Sequence, residues 1–176
     1  MPLWLIGMMG SGKSAVGRLL AARTDRDFLD TDHLVEAVAG RTIGEIFAEE
    51  GERGFRVRES EAIAAASSGD AVIATGGGAV LLAANVASMK ASGPVVWLQA
   101  DPSTLASRIG DQSDRPLLND RPGQDRSADV DVEARLSTIL ATRLQAYGAA
   151  ADHRVPTDHA SVEQVAVLIE EIWNAS

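Results

Sequence analysis

The chain has 176 residues, 45% hydrophobic and 23% charged, which suits one ordinary domain with a sizeable core and excludes a fibrous or disordered protein. With 16 Lys and Arg against 25 Asp and Glu the formal net charge is −9, disfavouring broad affinity for nucleic acid or an anionic membrane. Cysteine is absent, so disulfides, thiolate nucleophiles and Cys-ligated zinc are excluded.

In chain order, the apolar run at 2–6 opens the sequence and reads as a buried parallel strand, as do 71–74 and 94–98. Weaker strand candidates are 27–29 and 153–156. Helical periodicity covers 13–23, 32–38, 43–50, 53–66, 79–90, 102–109, 132–147 and 161–173. Strand and helix alternating in this way predict a single three-layer α/β domain over 1–176. Residues 110–131, rich in Asp, Arg, Pro and Gly, form a long polar stretch that reads as a lid or a solvated loop. The start of the chain has no basic leader, and no run approaches the ~20 apolar residues of a membrane span. A cytoplasmic protein is expected, with no membrane or nucleic-acid partner.

Gly7-Met8-Met9-Gly10-Ser11-Gly12-Lys13-Ser14 fits G-x-x-x-x-G-K-[ST] in full, between an apolar strand and an amphipathic helix. The glycines let successive N–H groups point into one hollow, and the helix start adds partial positive charge for phosphate. The nucleotide-binding run is Gly10, Ser11, Gly12, Lys13, Ser14 and Ala15, with Lys13 on the β and γ phosphates and the Ser14 hydroxyl on Mg²⁺. Lysine occurs only at 13 and 90, the other cationic side chains being arginine, so the slim ammonium at 13 marks a tight loop. No Asn-Lys pair exists to read a guanine base, which points away from a GTPase switch and toward a kinase with a second pocket.

Asp30-Thr31-Asp32 follows a short strand. If the segment stays extended, both carboxylates face one side, one toward the Mg²⁺ shell and one toward acceptor hydroxyls; the same residue types also suit a helix N-cap. Arg56 and Glu59 are i, i+3 neighbours, either a surface pair or a locked guanidinium suited to a carboxylate. Gly76-Gly77-Gly78 ends a strand, where open α/β sheets bind ligands. Arg108, Arg115 and Arg143 flank or occupy the long polar stretch and the helix after it, and Arg115 suits a cation that swings onto the transferring group.

With these motifs assembled, the chain resembles the shikimate kinases, a branch of the P-loop nucleoside monophosphate kinase-like proteins. The carriers are the residues 6–14 loop, Asp30-Thr31-Asp32, Gly51-Glu52 with Phe55-Arg56 and Glu59, Val72 through Val80 with its three glycines, and Arg115-Pro116-Leu117-Leu118. The resemblance implies a five-stranded parallel sheet flanked by helices with a mobile lid. It also implies transfer of the ATP γ-phosphoryl group to the 3-hydroxyl of shikimate, in the making of chorismate and aromatic amino acids. On it, Lys13, Asp32 and Arg115 are catalytic. Asp32, Arg56, Gly76, Gly77, Gly78 and Arg143 bind shikimate. Arg108 and Arg115 join the nucleotide site, and Ser14 and Asp30 hold Mg²⁺. Phe47 and Phe55 fall where the family packs apolar surface beside the shikimate ring. Apart from the resemblance, a monomer is expected. Three departures stand out: the family's Arg-x-Pro-Leu-Tyr is here Arg143-Leu144-Gln145-Ala146-Tyr147, the adenine-side loop reads Pro156-Thr157-Asp158-His159-Ala160, and the stretch between Arg115 and Arg143 is longer than usual. A kinase for another hydroxylated acceptor, such as gluconate or a nucleoside monophosphate, and a non-catalytic ATP-binding regulator are the alternative readings.

Overall fold

A computed structural model describes residues 1–109 and 132–175. Its elements run β1 (Leu3–Ile6), α1 (Lys13–Thr24), β2 (Asp27–Asp30), α2 (Thr31–Ala39), α3 (Ile43–Ala66), β3 (Ala71–Ala74), α4 (Ala83–Ser92), β4 (Val95–Gln99), α5 (Pro102–Ile109), α6 (Val132–Ala150), β5 (His153–Pro156) and α7 (Val162–Asn174). The strands form one five-stranded sheet in the order β2-β3-β1-β4-β5, every neighbouring pair parallel. The two weaker strand candidates prove to be the two edges. An edge strand is half solvated: β2 accordingly has no fully buried residue and β5 only Val155, so neither forms an apolar run.

The period-2 alternation of the inner strands feeds two cores. Trp4, Ile6, Ile73, Val95 and Trp97 pack with residues of α3, α4, α5 and α6 on one face. Leu3, Leu5, Val72, Val96 and Leu98 pack with α1 and α7 on the other. All four β1 side chains are fully buried; at about 1.5–3 kcal/mol for each buried aliphatic side chain, the central strand anchors both layers. The tryptophans at 4, 97 and 173 belong to these cores.

Two helical expectations are refined. Periodicity at 79–90 suggests one helix, but the chain makes a 3₁₀ turn at Ala79–Leu81 and breaks at Leu82 before α4. The two helices expected at 43–50 and 53–66 run together as α3, interrupted at Gly51, whose φ of 68° and ψ of −176° leave the helical region. Glu50, just before the break, receives a two-pronged ion pair from Arg58 beyond it (2.9 and 2.8 Å), which ties the two arms together. α3 opens with a capping box between Thr42 and Glu45, and both its arms join α2 around Val35, Ile46, Phe55 and Ala62 in a small third cluster.

Candidate active site

The loop between β1 and α1 is built for close approach. Gly7 has a φ of +145°, and a methyl group there would lie 2.5 Å from the Leu98 carbonyl oxygen, so only glycine lets the chain turn this tightly over β4. Gly12, also at positive φ (94°), caps α1 and turns its first amides toward the hollow. Lys13 folds back over the loop, its Nζ donating to the Gly7 and Met8 carbonyls at 2.9 and 2.8 Å. The ammonium is thus held beside the amides that would cradle a phosphate. Residues 10–16, including Ala15, line a cavity of about 420 Å³ together with Arg108, Thr157, Ala160, Val162 and Val165.

Arg108 reaches this cavity from the last turn of α5. Its Nη1 donates to the Thr157 hydroxyl at 2.9 Å and its Nη2 to the Thr157 carbonyl, so α5 is clamped to the loop after β5. Thr157 itself is buried, and its hydroxyl donates to the Gln99 carbonyl at 3.2 Å. Sequence reasoning placed the Thr157 loop on the adenine side without giving Thr157 a role. Its position directly after a parallel strand, where such sheets bind ligands, was the available signal. Arg115 and the expected lid at 110–131 lie outside the described residues.

The Asp30-Thr31-Asp32 expectation needs correction. α2 begins at Thr31, so the segment is not extended and strand alternation does not set where the two carboxylates point. Asp30 is the N-cap, accepting from the Asp32 amide at 3.1 Å through Oδ1. Its other oxygen accepts from the Ser14 hydroxyl at 3.0 Å. Capping and metal binding are therefore compatible roles for one carboxylate. Ser14 and Asp30 together present hard oxygen donors at the exposed start of α1, a donor set that suits Mg²⁺ shared with phosphates. Among the described residues no group of three or more His, Asp or Glu is arranged as a metal cage, so a divalent ion here would depend on oxygens of the nucleotide. Thr31 turns the other way, its buried hydroxyl accepting from the Gly76 amide at 3.0 Å and pinning the triglycine loop to α2.

Around Gly76-Gly77-Gly78 four charged side chains converge. A methyl group on Gly76 would lie 2.7 Å from both Asp32 Oδ1 and Glu59 Oε1, and one on Gly78 would lie 2.5 Å from the Arg56 guanidinium. A side chain at Gly76 or Gly78 would thus displace these charged groups, whereas at Gly77 it would meet only ordinary contacts. Arg56 donates to Glu59 Oε2 at 2.8 Å and to Glu52 at 3.2 Å. Desolvation works against the Arg56 charge, but the Glu59 and Glu52 carboxylates together outweigh it and hold the guanidinium above its usual value. Burial pushes the Glu59 carboxyl above the usual carboxylate range, against the pull of Arg56. Of the two readings of this i, i+3 pair, the buried lock is the one observed. Glu59 is 1% exposed at its side chain, with Oε1 buried and making no hydrogen bond among the described residues.

Arg143 comes from α6 and is buried despite its charge. Its Nη1 donates to the Gly77 carbonyl at 3.1 Å, and the Tyr147 hydroxyl donates to the same oxygen at 2.6 Å. The two residues that survive from the altered Arg-x-Pro-Leu-Tyr segment thus meet at one carbonyl. The proline-free helix still delivers both of them, because i, i+4 positions share a face. A methyl on Gly77 would also lie 3.6 Å from the Gly7 carbonyl, the atom that receives Lys13. The acceptor loop and the phosphate loop therefore abut. Phe47 and Phe55 pack with their rings tilted by 31° at 4.8 Å between centroids, with the Arg56 guanidinium over Phe55.

The comparisons agree with this geometry. The shikimate kinase family model matches residues 9–173. A shikimate kinase from Symbiobacterium thermophilum is 49% identical over 174 residues, covering 97% of this chain and 95% of the relative. One from Moorella thermoacetica is 45% identical over 172 residues, covering 97% and 93%. Among solved structures, shikimate kinase from Acinetobacter baumannii in complex with shikimate superposes with a TM-score of 0.88 at 35% identity, covering 99% of this chain and 93% of that one. Near-complete coverage in sequence and in fold leaves one assignment: the chain belongs to the shikimate kinase family of ATP-dependent kinases that phosphorylate shikimate.

Proposed function

We propose that the phosphates of ATP lie on residues 7–14, with the base toward Arg108 and Thr157. Shikimate is proposed to occupy the hollow bounded by Asp32, Arg56, the three glycines and Arg143. The observation that carries this reading is the convergence of two arginines and two carboxylates on a triglycine turn that touches the phosphate loop. Arg56 and Arg143 are placed to take the acceptor carboxylate, and the glycine backbone lets the ring approach closely. Asp32, on the first turn of α2, is the group assigned to take the proton from the attacking hydroxyl. Lys13 offsets the charge that spreads over the transferring group, which is what phosphoryl transfer asks of a protein. Mg²⁺ held by Ser14 and Asp30 would neutralise charge on the terminal phosphates when bound. Arg115 is proposed as a further cation on the nucleotide.

The test is ADP release from Mg-ATP with and without shikimate. Shikimate-dependent release is expected. Equal release with gluconate or a nucleoside monophosphate would move the acceptor assignment, and no release with any of them would favour a regulator that binds ATP.

A second expectation concerns Arg56→Lys. One guanidinium bonds Glu59 and Glu52, and in this reading its remaining N–H groups are left for the acceptor carboxylate. A lysine ammonium is a point charge and cannot do all three. Charge-assisted hydrogen bonds contribute about 1.5–3 kcal/mol, so the KM for shikimate should rise roughly 10–100-fold. The KM for ATP should hardly move. Steady-state kinetics with each substrate varied in turn checks this, and an unchanged shikimate KM would remove Arg56 from the acceptor clamp.

A further inference from the structure

Tyr147 is the one tyrosine of the chain, and it is fully buried. Its ring stacks on Trp97 at 5.4 Å between centroids and 15° between planes, a contact that fixes the phenol within the core. Burial pushes the hydroxyl up to about 12, so it stays protonated and keeps its O–H to donate at ordinary pH. The donor is spent on the Gly77 carbonyl at 2.6 Å, a shorter bond than the 3.1 Å one from Arg143 to the same oxygen.

The neighbouring carbonyls are already occupied by the turn. The Gly76 carbonyl accepts from the Ala79 amide, and the Gly78 carbonyl from the Leu81 amide. The Gly77 carbonyl instead accepts from α6. Its two lone pairs match the two donors that arrive, one phenol and one guanidinium. A trans peptide sets C=O and N–H antiparallel, and no peptide bond among the described residues is cis. Holding the Gly77 oxygen therefore fixes which way the Gly78 N–H points, in a glycine turn that has no side chains to hold itself.

We infer that Tyr147 is a positioning residue for acceptor binding: its hydroxyl anchors the Gly77 carbonyl, and through it sets both the Gly77–Gly78 peptide plane and the seat of the Arg143 guanidinium. This rests on the acceptor site proposed above. The residue touches no substrate in this scheme. It acts through the carbonyl that it shares with Arg143.

Tyr147→Phe tests the inference, because the variant keeps the ring and its stack on Trp97 and removes only the donor. The KM for shikimate should rise about ten-fold, corresponding to about 1.4 kcal/mol, while the KM for ATP stays within two-fold. Trp97→Phe serves as the control for packing. It loosens the stack and leaves the hydroxyl in place, so its melting temperature should fall while its shikimate KM stays within two-fold. A wild-type shikimate KM in Tyr147→Phe, or an equal rise for both substrates, overturns the proposal. So does a comparable rise in shikimate KM for Trp97→Phe, a result that stands even if Tyr147→Phe fails to fold. A wild-type protein that releases no ADP with shikimate would instead overturn the acceptor assignment itself.

Discussion

Lys13→Ala is expected to lower kcat by about 10³-fold while the melting temperature stays within a few degrees of wild type. Removing one preorganised charge-stabilising donor from an active site costs on the order of 10²–10³ in rate, and an ammonium facing phosphate should sit at the upper end. Ten-fold in rate is about 1.4 kcal/mol, so the loss corresponds to roughly 4 kcal/mol of transition-state stabilisation. The fold should tolerate the change, because the side chain is only half buried and its ammonium bonds the Gly7 and Met8 carbonyls of the loop. Lys13→Arg is expected to recover little. The space above Gly7 and Met8 accepts a compact ammonium, whereas a planar guanidinium spreads its charge over a wider fork. Single-turnover kinetics with Mg-ATP and shikimate measures the effect directly, and a near-normal kcat for either variant would take Lys13 out of the chemistry.

Asp32→Asn should be the next most damaging change, lowering kcat by about 10²-fold or more, within the 10²–10⁴ range of general acid–base groups. The amide preserves size and can still bond a ring hydroxyl, but it cannot take a proton. With Asp32 assigned as the proton acceptor, the acidic limb of the kcat–pH profile is expected to flatten in the variant. If the profile keeps its acidic limb and only the KM for shikimate rises, Asp32 orients the acceptor without acting as base.

Much of this site was legible before any coordinates, and the reasons are physical. The phosphate loop announces itself because its chemistry needs glycines, one lysine and one hydroxyl at fixed spacing, and a strand and helix on either side. The inner strands were visible because a strand buried on both faces has no polar residues to hide it. β2 and β5 were faint because an edge strand is wet on one side. Residues 79–90 misled because a 3₁₀ turn and an α-helix carry similar periodicity, and only the extended backbone at Leu82 separates them. Asp30 and Asp32 were placed on one side because the start of α2 was expected one residue late, which changes a two-residue repeat into a helical one.

Other features depend on tertiary contact and have no local signature. Thr31 bonds the Gly76 amide across 45 positions, Thr157 is met by Arg108 across 49, and Tyr147 finds Gly77 across 70. A hydroxyl in a sequence gives no hint of which distant backbone atom it will meet. The Arg56–Glu59 pair shows the opposite case. Its spacing was plain, but only burial decides between a solvated surface pair worth little and a lock in which the lost partner would leave a charge stranded.

The division of the interior into two layers by the sheet has a consequence for how such a protein can change over generations. The helix that opens on the phosphates rests on one layer, whereas the helices that carry Arg56 and Arg143 rest on the other. Substitutions beneath α1 and α7 can therefore accumulate without moving the helices that carry Arg56 and Arg143, whereas changes in the opposite layer also reach the phosphate loop through Met8, Met9 and α5.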